Sequence, residues 1–199
     1  MLLRLFSAAL AIAALIGSVD LASAQADNER FLMLGGGAPR SKNYNLFGFG
    51  GTDTTKTRVN YSGKEGPGTI VINTAERKLY LVEGDGSALQ YGVGVGRVGF
   101  TWKGTHKITA KKEWPAWTPP PEMRARVRGL PAHMAGGVEN PLGARAMYLG
   151  STLYRIHGSN EPETIGQAVS SGCFRMTNDD VTDLYSRVAV GTTVVVLNN

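Results

Sequence analysis

Between Pro67 and Leu197 the apolar positions fall in short runs separated by glycine-rich turns, which is the spacing of strands rather than of long helices. Thr69-Ile70-Val71-Ile72-Asn73 and Lys78-Leu79-Tyr80-Leu81-Val82 are two such runs. Glu83-Gly84-Asp85-Gly86-Ser87 supplies turn chemistry, and Gln90 to Val95 resumes the extended pattern. Thr105 to Ala110, Ala146 to Leu149, Leu153 to His157 and Thr192 to Leu197 read as further strands. One segment has a different period. Thr177-Asn178-Asp179-Asp180 offers a cap and acids for a helix N-terminus, and Val181, Leu184, Tyr185 and Val188 follow at helical spacing. The pattern predicts a mainly β protein, a mixed β-sandwich or barrel-like fold, with one well-signalled helix whose apolar stripe packs on the core.

The first 66 residues read differently. Met1-Leu2-Leu3-Arg4 is a short basic start, an apolar run from Leu5 to Val19 follows, and Ala22-Ser23-Ala24 gives the small-x-small pattern of a signal-peptidase site. The run is short against the ~20 residues of a membrane span. No cysteine follows it closely, which excludes a lipoprotein anchor. Residues 1–24 are therefore expected to be a cleaved signal peptide, leaving an exported chain with no stable membrane anchor. Residues 25–66, rich in Gly, Ser, Thr and Asn, lack a sustained apolar period and are expected to be a flexible linker before a domain at 67–198. Gly35-Gly36-Gly37 follows no convincing strand and has no P-loop lysine, so it reads as linker.

The formal net charge is +5, and loss of residues 1–24 removes one base, Arg4, and one acid, Asp20, so it stays +5. A moderately basic exported protein favours an anionic polymer such as cell wall. The bases are scattered without aromatic interleaving, which argues against nucleic acid. His106 and His133 have no metal-ligand spacing with each other or with the cysteine; no metal and no cofactor is implied.

Cys173 is the only cysteine, in Ser170-Ser171-Gly172-Cys173-Phe174-Arg175-Met176, and His157-Gly158 lies sixteen residues upstream. It has no partner for an internal disulfide. A lone cysteine is either a buried structural residue or a nucleophile whose proton an imidazole removes. Strand alternation puts Leu153, Arg155 and His157 on one face, and Arg175 on the face of Cys173. Either arginine suits a carboxylate, and either suits a structural ion pair. Trp114 and Trp117 belong to a stiff stretch, Glu113 to Met123, whose three consecutive prolines, Pro119 to Pro121, rule out a central strand or helix interior. Such aromatics line a cleft or pack on their own domain.

His157-Gly158-Ser159-Asn160 and the Ser170-to-Met176 run together resemble the signature of the L,D-transpeptidase catalytic domain, the YkuD type. The likeness extends through Trp114-Pro115-Ala116-Trp117-Thr118-Pro119-Pro120 and Asn140-Pro141-Leu142-Gly143 and covers about residues 67–198. It implies a periplasmic acyltransferase of cell-wall biosynthesis and a peptidoglycan stem peptide as partner. Carried over, Cys173 is the nucleophile, His157 the general base, and the Gly158 carbonyl the group that orients the imidazole. Ser171 and Gly172, with Cys173, would supply oxyanion-hole N–H groups. Arg175, Arg155, Asn160, Trp114 and Trp117 would bind substrate. The thioester would pass to an amine, on a second stem or on an envelope protein. Transfer to water, giving an L,D-peptidase, is the alternative, and a non-catalytic peptidoglycan-binding module is a weaker one. Many family members carry His at the position of Ser171, and Trp102 stands where a proline is usual, which implies a different approach to the cleft.

Overall fold

The structure is a computed structural model and describes residues 54–198. The expected signal peptide and residues 25–53 of the expected linker lie outside the described residues. The strands, in chain order, are β1 (Thr57–Asn60), β2 (Ile70–Asn73), β3 (Lys78–Val82), β4 (Ser87–Gly92), β5 (Val95–Gly96), β6 (Gly104–Glu113), β7 (Arg145–Leu149), β8 (Arg155–His157), β9 (Ala168–Ser170), β10 (Phe174–Arg175) and β11 (Thr193–Leu197). Among the described residues two α-helices join them, α1 (Pro121–Arg126) and α2 (Asn178–Arg187), with a 3-10 turn at Pro162–Thr164. The architecture is mainly β and mixed. A nine-stranded sheet runs β1-β4-β3-β2-β11-β6-β7-β8-β10, and β5 pairs with β9. The β2–β11, β8–β10 and β5–β9 pairs are parallel.

Alternation explains part of the core. In β11 Val194 and Val196 point inward between half-buried neighbours, Leu79 and Leu81 flank the half-buried Tyr80 on β3, and β2 is buried at all four positions, Ile70 to Asn73. These meet Met147, Leu149, Ile156, Phe174 and the α2 residues Val181 and Leu184 in one cluster. At ~1.5–3 kcal/mol for each large apolar side chain, this burial dominates the folding free energy. Helix α2 begins as its sequence predicts: the Thr177 hydroxyl accepts from the Asp180 N–H at 3.1 Å. Its far end is closed by Lys111 of β6, whose ammonium donates to the carbonyls of Tyr185 and Val188, each at 2.6 Å.

β6 serves two partners. Residues 104–107 pair with β11, whereas Ile108 to Glu113 pair with β7, and the register is irregular between Ile108 and Ala110. A bulge of this kind bends a strand and restarts its alternation. It connects the apolar β2-β3-β11 region to β7, β8 and β10, which carry the histidine and border the cysteine.

Two sequence expectations need correction. Residues 57–60, expected to be linker, form β1 and pair antiparallel with β4, Val59 opposite Ala88. Arg58 secures this edge through two bonds to the Glu83 carboxylate, at 2.7 and 2.9 Å. The stretch ending at Met123 is not all loop, because Pro121 opens α1 at the one helical position where a missing N–H costs nothing. No helix among the described residues is long and apolar enough to cross a membrane.

Candidate active site

Short strands bring Cys173 and His157 together. β8 lies between β7, where Ala146 opposes His157, and β10, where Arg175 runs beside His157. Parallel pairing of Phe174 with Ile156 sets the chain just before β10 alongside the start of β8. Cys173 and His157 thus line the same cavity, about 820 Å³ in volume.

His157 is 5% exposed, and its Nδ1 lies 2.6 Å from the Gly158 carbonyl oxygen. A carbonyl only accepts, so Nδ1 carries the proton and Nε2 is left as the acceptor. Gly158 is held in turn: its N–H donates to the Arg145 carbonyl at 3.0 Å, and a Cβ there would collide with the Asn178 side chain of α2. Burial removes the imidazolium's hydration and lowers the His157 pKa to about 3, with Arg175 and Arg155 adding repulsion against the pull of the Gly158 carbonyl. Burial pushes the Cys173 thiol up, and the Arg155 charge opposes that rise. The resting pair is therefore neutral, a thiol and an imidazole. The thiol's hydrogen bond runs to the Leu153 carbonyl, 3.7 Å away.

The turn before the cysteine is stapled by Ser170, which the sequence did not single out. Its hydroxyl donates to the Cys173 carbonyl at 2.6 Å and accepts from the Gly172 N–H at 3.2 Å. The Gly172 N–H is thereby engaged. Among the described residues the N–H groups of Ser171 and Cys173 have no acceptor. Gly172 has φ 105°, and a Cβ there would lie 2.6 Å from the Tyr154 ring, so this position requires glycine.

Arg155 and Arg175 both line the cavity. Arg175 is paired, its guanidinium 2.9 Å from the Glu161 carboxylate. Arg155 differs, with its Nε buried and without an acceptor. Asn160 and Trp117 line the cavity, Asn160 also donating to the Glu139 carbonyl at 3.1 Å. Trp114 stands outside that lining, 41% exposed with φ 40°. His106 and His133 also lie outside it, His133 hydrogen-bonded to Thr118 at 3.0 Å. Sequence reasoning missed Arg126 and Met123, which α1 brings to the wall. The available signal was Pro121 followed by an acid in the first turn and arginines in the last. The titratable lining is balanced, with Glu122, Glu139 and Glu161 against Arg126, Arg155 and Arg175.

The YkuD family model, the L,D-transpeptidase catalytic domain, matches residues 67–196. The chain belongs to this family. Over 134 residues this chain is 41% identical to the Escherichia coli K12 protein named "Probable L,D-transpeptidase YbiS", covering 63% of this chain and 43% of that one. Similarity to "Probable L,D-transpeptidase ErfK/SrfK" of the same strain is 39% over 138 residues, covering 65% and 44%. The chain spans less than half the length of these relatives. The crystal structure of L,D-transpeptidase 3 from Mycobacterium tuberculosis shares the fold, with TM-score 0.52 and 17% identity over 67% of this chain and 62% of that one.

Proposed function

We propose that this L,D-transpeptidase family chain is an exported cysteine acyltransferase acting on a peptidoglycan stem peptide. The observation that carries it is the 2.6 Å bond between His157 Nδ1 and the Gly158 carbonyl, which leaves Nε2 free to accept a proton in the cavity that Cys173 also lines. His157 Nε2 takes the thiol proton as Cys173 Sγ attacks the donor carbonyl carbon. The resulting oxyanion accepts from the Cys173 and Ser171 N–H groups, the two that have no protein acceptor. The C–N bond breaks, the leaving amine takes the proton from His157, and a thioester remains. An acceptor amine then attacks, gives its proton to His157 and forms the new amide, while sulfur leaves and is reprotonated. A neutral resting pair suits this order, because the proton moves with the attack instead of before it.

Arg155 is the stronger candidate for a stem carboxylate. Its Nε lacks an acceptor, whereas Arg175 already faces Glu161. The expected absence of a metal or cofactor is part of this proposal, since each step uses only side chains, backbone N–H groups and substrate amines. Intact-mass spectrometry with a carbapenem tests it. One adduct is expected on the wild type and none on Cys173→Ala; a folded, unmodified wild type overturns the assignment.

A further inference from the structure

Trp102 stands behind the cavity wall, not in it. Its indole N–H donates to the Gly172 carbonyl at 2.8 Å, across seventy residues of sequence. Its ring stacks on Tyr154, centroids 4.6 Å apart and 13° from parallel, and leans on Phe174 at 5.5 Å. Tyr154 is the same ring that closes against Gly172. The carbonyl held by the indole belongs to the peptide unit whose N–H is that of Cys173. There are no cis peptides among the described residues, so this C=O and this N–H point in opposite directions within one plane. Fixing one fixes the other. The Ser170 bonds hold the groups on either side of that plane, and a glycine at φ 105° brings no side chain of its own to limit it. A hydrogen bond to the carbonyl oxygen also polarises the amide and makes its N–H a better donor.

We infer that Trp102 is a positioning residue: through the Gly172 carbonyl it aims and strengthens the Cys173 N–H as the oxyanion donor. The stack on Tyr154, the tilted contact with Phe174 and a steep contact with the His106 ring, centroids 5.4 Å apart, hold the indole plane. The inference rests on the transpeptidase proposal. It separates two functions of the same turn, since the thiol's nucleophilicity does not depend on the indole N–H, whereas stabilisation of a tetrahedral intermediate does.

The test compares two reactions at the same sulfur in the full chain. Acylation by a carbapenem passes through an oxyanion; alkylation by iodoacetamide does not. Trp102→Phe keeps a ring against Tyr154 and removes the donor. Acylation should slow about 10-fold, a fraction of the roughly 10²–10³ that losing an oxyanion donor itself costs, and alkylation should stay within about 2-fold. Site-specific replacement of Trp102 by 3-benzothienylalanine, which has the indole shape without the N–H, should give the same split. This second variant decides the matter if the phenylalanine variant does not fold. Equal losses in both reactions, or no loss in either, overturn the positioning role. A wild type that is alkylated but never acylated overturns the transpeptidase proposal instead.

Discussion

The β1-β4-β3 edge and the β8-β10 corner treat polar groups in opposite ways. At the edge nearly every charge has a partner. Arg58 grips Glu83 with two bonds, the Ser87 hydroxyl donates to Glu83 at 2.8 Å, and Tyr80 and Tyr61 donate to Glu76 and Glu65, each at 2.6 Å. Tyr91 reaches from β4 to Asp183 of α2 at 2.7 Å, where Arg187 and Lys56 also converge. At the corner the Arg155 Nε, the Ser171 N–H and the Cys173 N–H have no acceptor, and His157 is kept neutral by burial. An unsatisfied buried donor costs ~1–3 kcal/mol. Such groups persist where a ligand supplies the missing partner, so one region is organised for stability and the other, on the proposed function, for the oxyanion and a stem carboxylate.

His157→Ala should break the comparison most sharply. Carbapenem acylation should fall about 10²–10⁴-fold with circular dichroism unchanged, because a base is lost and the core is not. An unchanged rate would make the histidine purely structural. Next comes the contrast between the two arginines. Arg155→Ala should lower turnover of a tetrapeptide donor by about 10–150-fold, the range for losing a charge-assisted hydrogen bond, and slow iodoacetamide alkylation less, since that reaction loses only the charge beside the thiol. Arg175→Ala should cost less turnover, since Glu161 already occupies that guanidinium. If the two variants behave alike, the unpaired Nε is not what reads the substrate.

Acid should also separate the regions. The His157 pKa falls from 6.5 in the unfolded chain to about 3 in the fold. Between those values the unfolded chain binds the extra proton, so stability falls as pH drops from 6.5 towards 3, by at most about 1.4 kcal/mol per pH unit. Asp183, lowered from 3.8 to about 2 chiefly by Arg187, loses its contribution only as pH falls below about 4. Urea titrations between pH 6.5 and 4.5 should show the slope in the wild type and not in His157→Gln. Matching slopes would mean that this imidazole is hydrated. The smallest expected effect is at the edge. Tyr91→Phe should lower stability by ~1.5–3 kcal/mol, the value of a bond to a charged group, and leave the acylation rate of folded protein unchanged. A slowed rate would show that the edge and the corner are coupled.

Much of the sheet was legible because its strands are short apolar runs bounded by polar residues and glycine-rich turns. The runs around Ile70, Leu79, Met147 and Val194 each became a strand within a residue or two of the expected bounds. Helix α2 was equally clear, with its cap and its stripe in register. β1 was hidden because an edge strand buries little, and Thr57, Arg58 and Asn60 are all exposed. β9 and β10, three and two residues long, are too short for periodicity to mark. Within the candidate site, the Cys173 and His157 motifs stood out in the sequence, as did the two arginines. The difference between those arginines did not, because it depends on Glu161 reaching one, while the other lies over the Tyr148 ring with its Nε unbonded. Trp102 appeared only as a departure from a usual proline; its bond to Gly172 is made by the fold.

The irregularity in β6 between Ile108 and Ala110 divides the strand between two partners. Residues 104–107 keep the register of β11, and residues 111–113 keep that of β7. A one-residue slip in the outer half would turn the fully buried Met147 and Leu149 of β7 outward, even with the β11 pairing intact. Changes of length in that half should therefore cost foldedness before they could reshape the cavity.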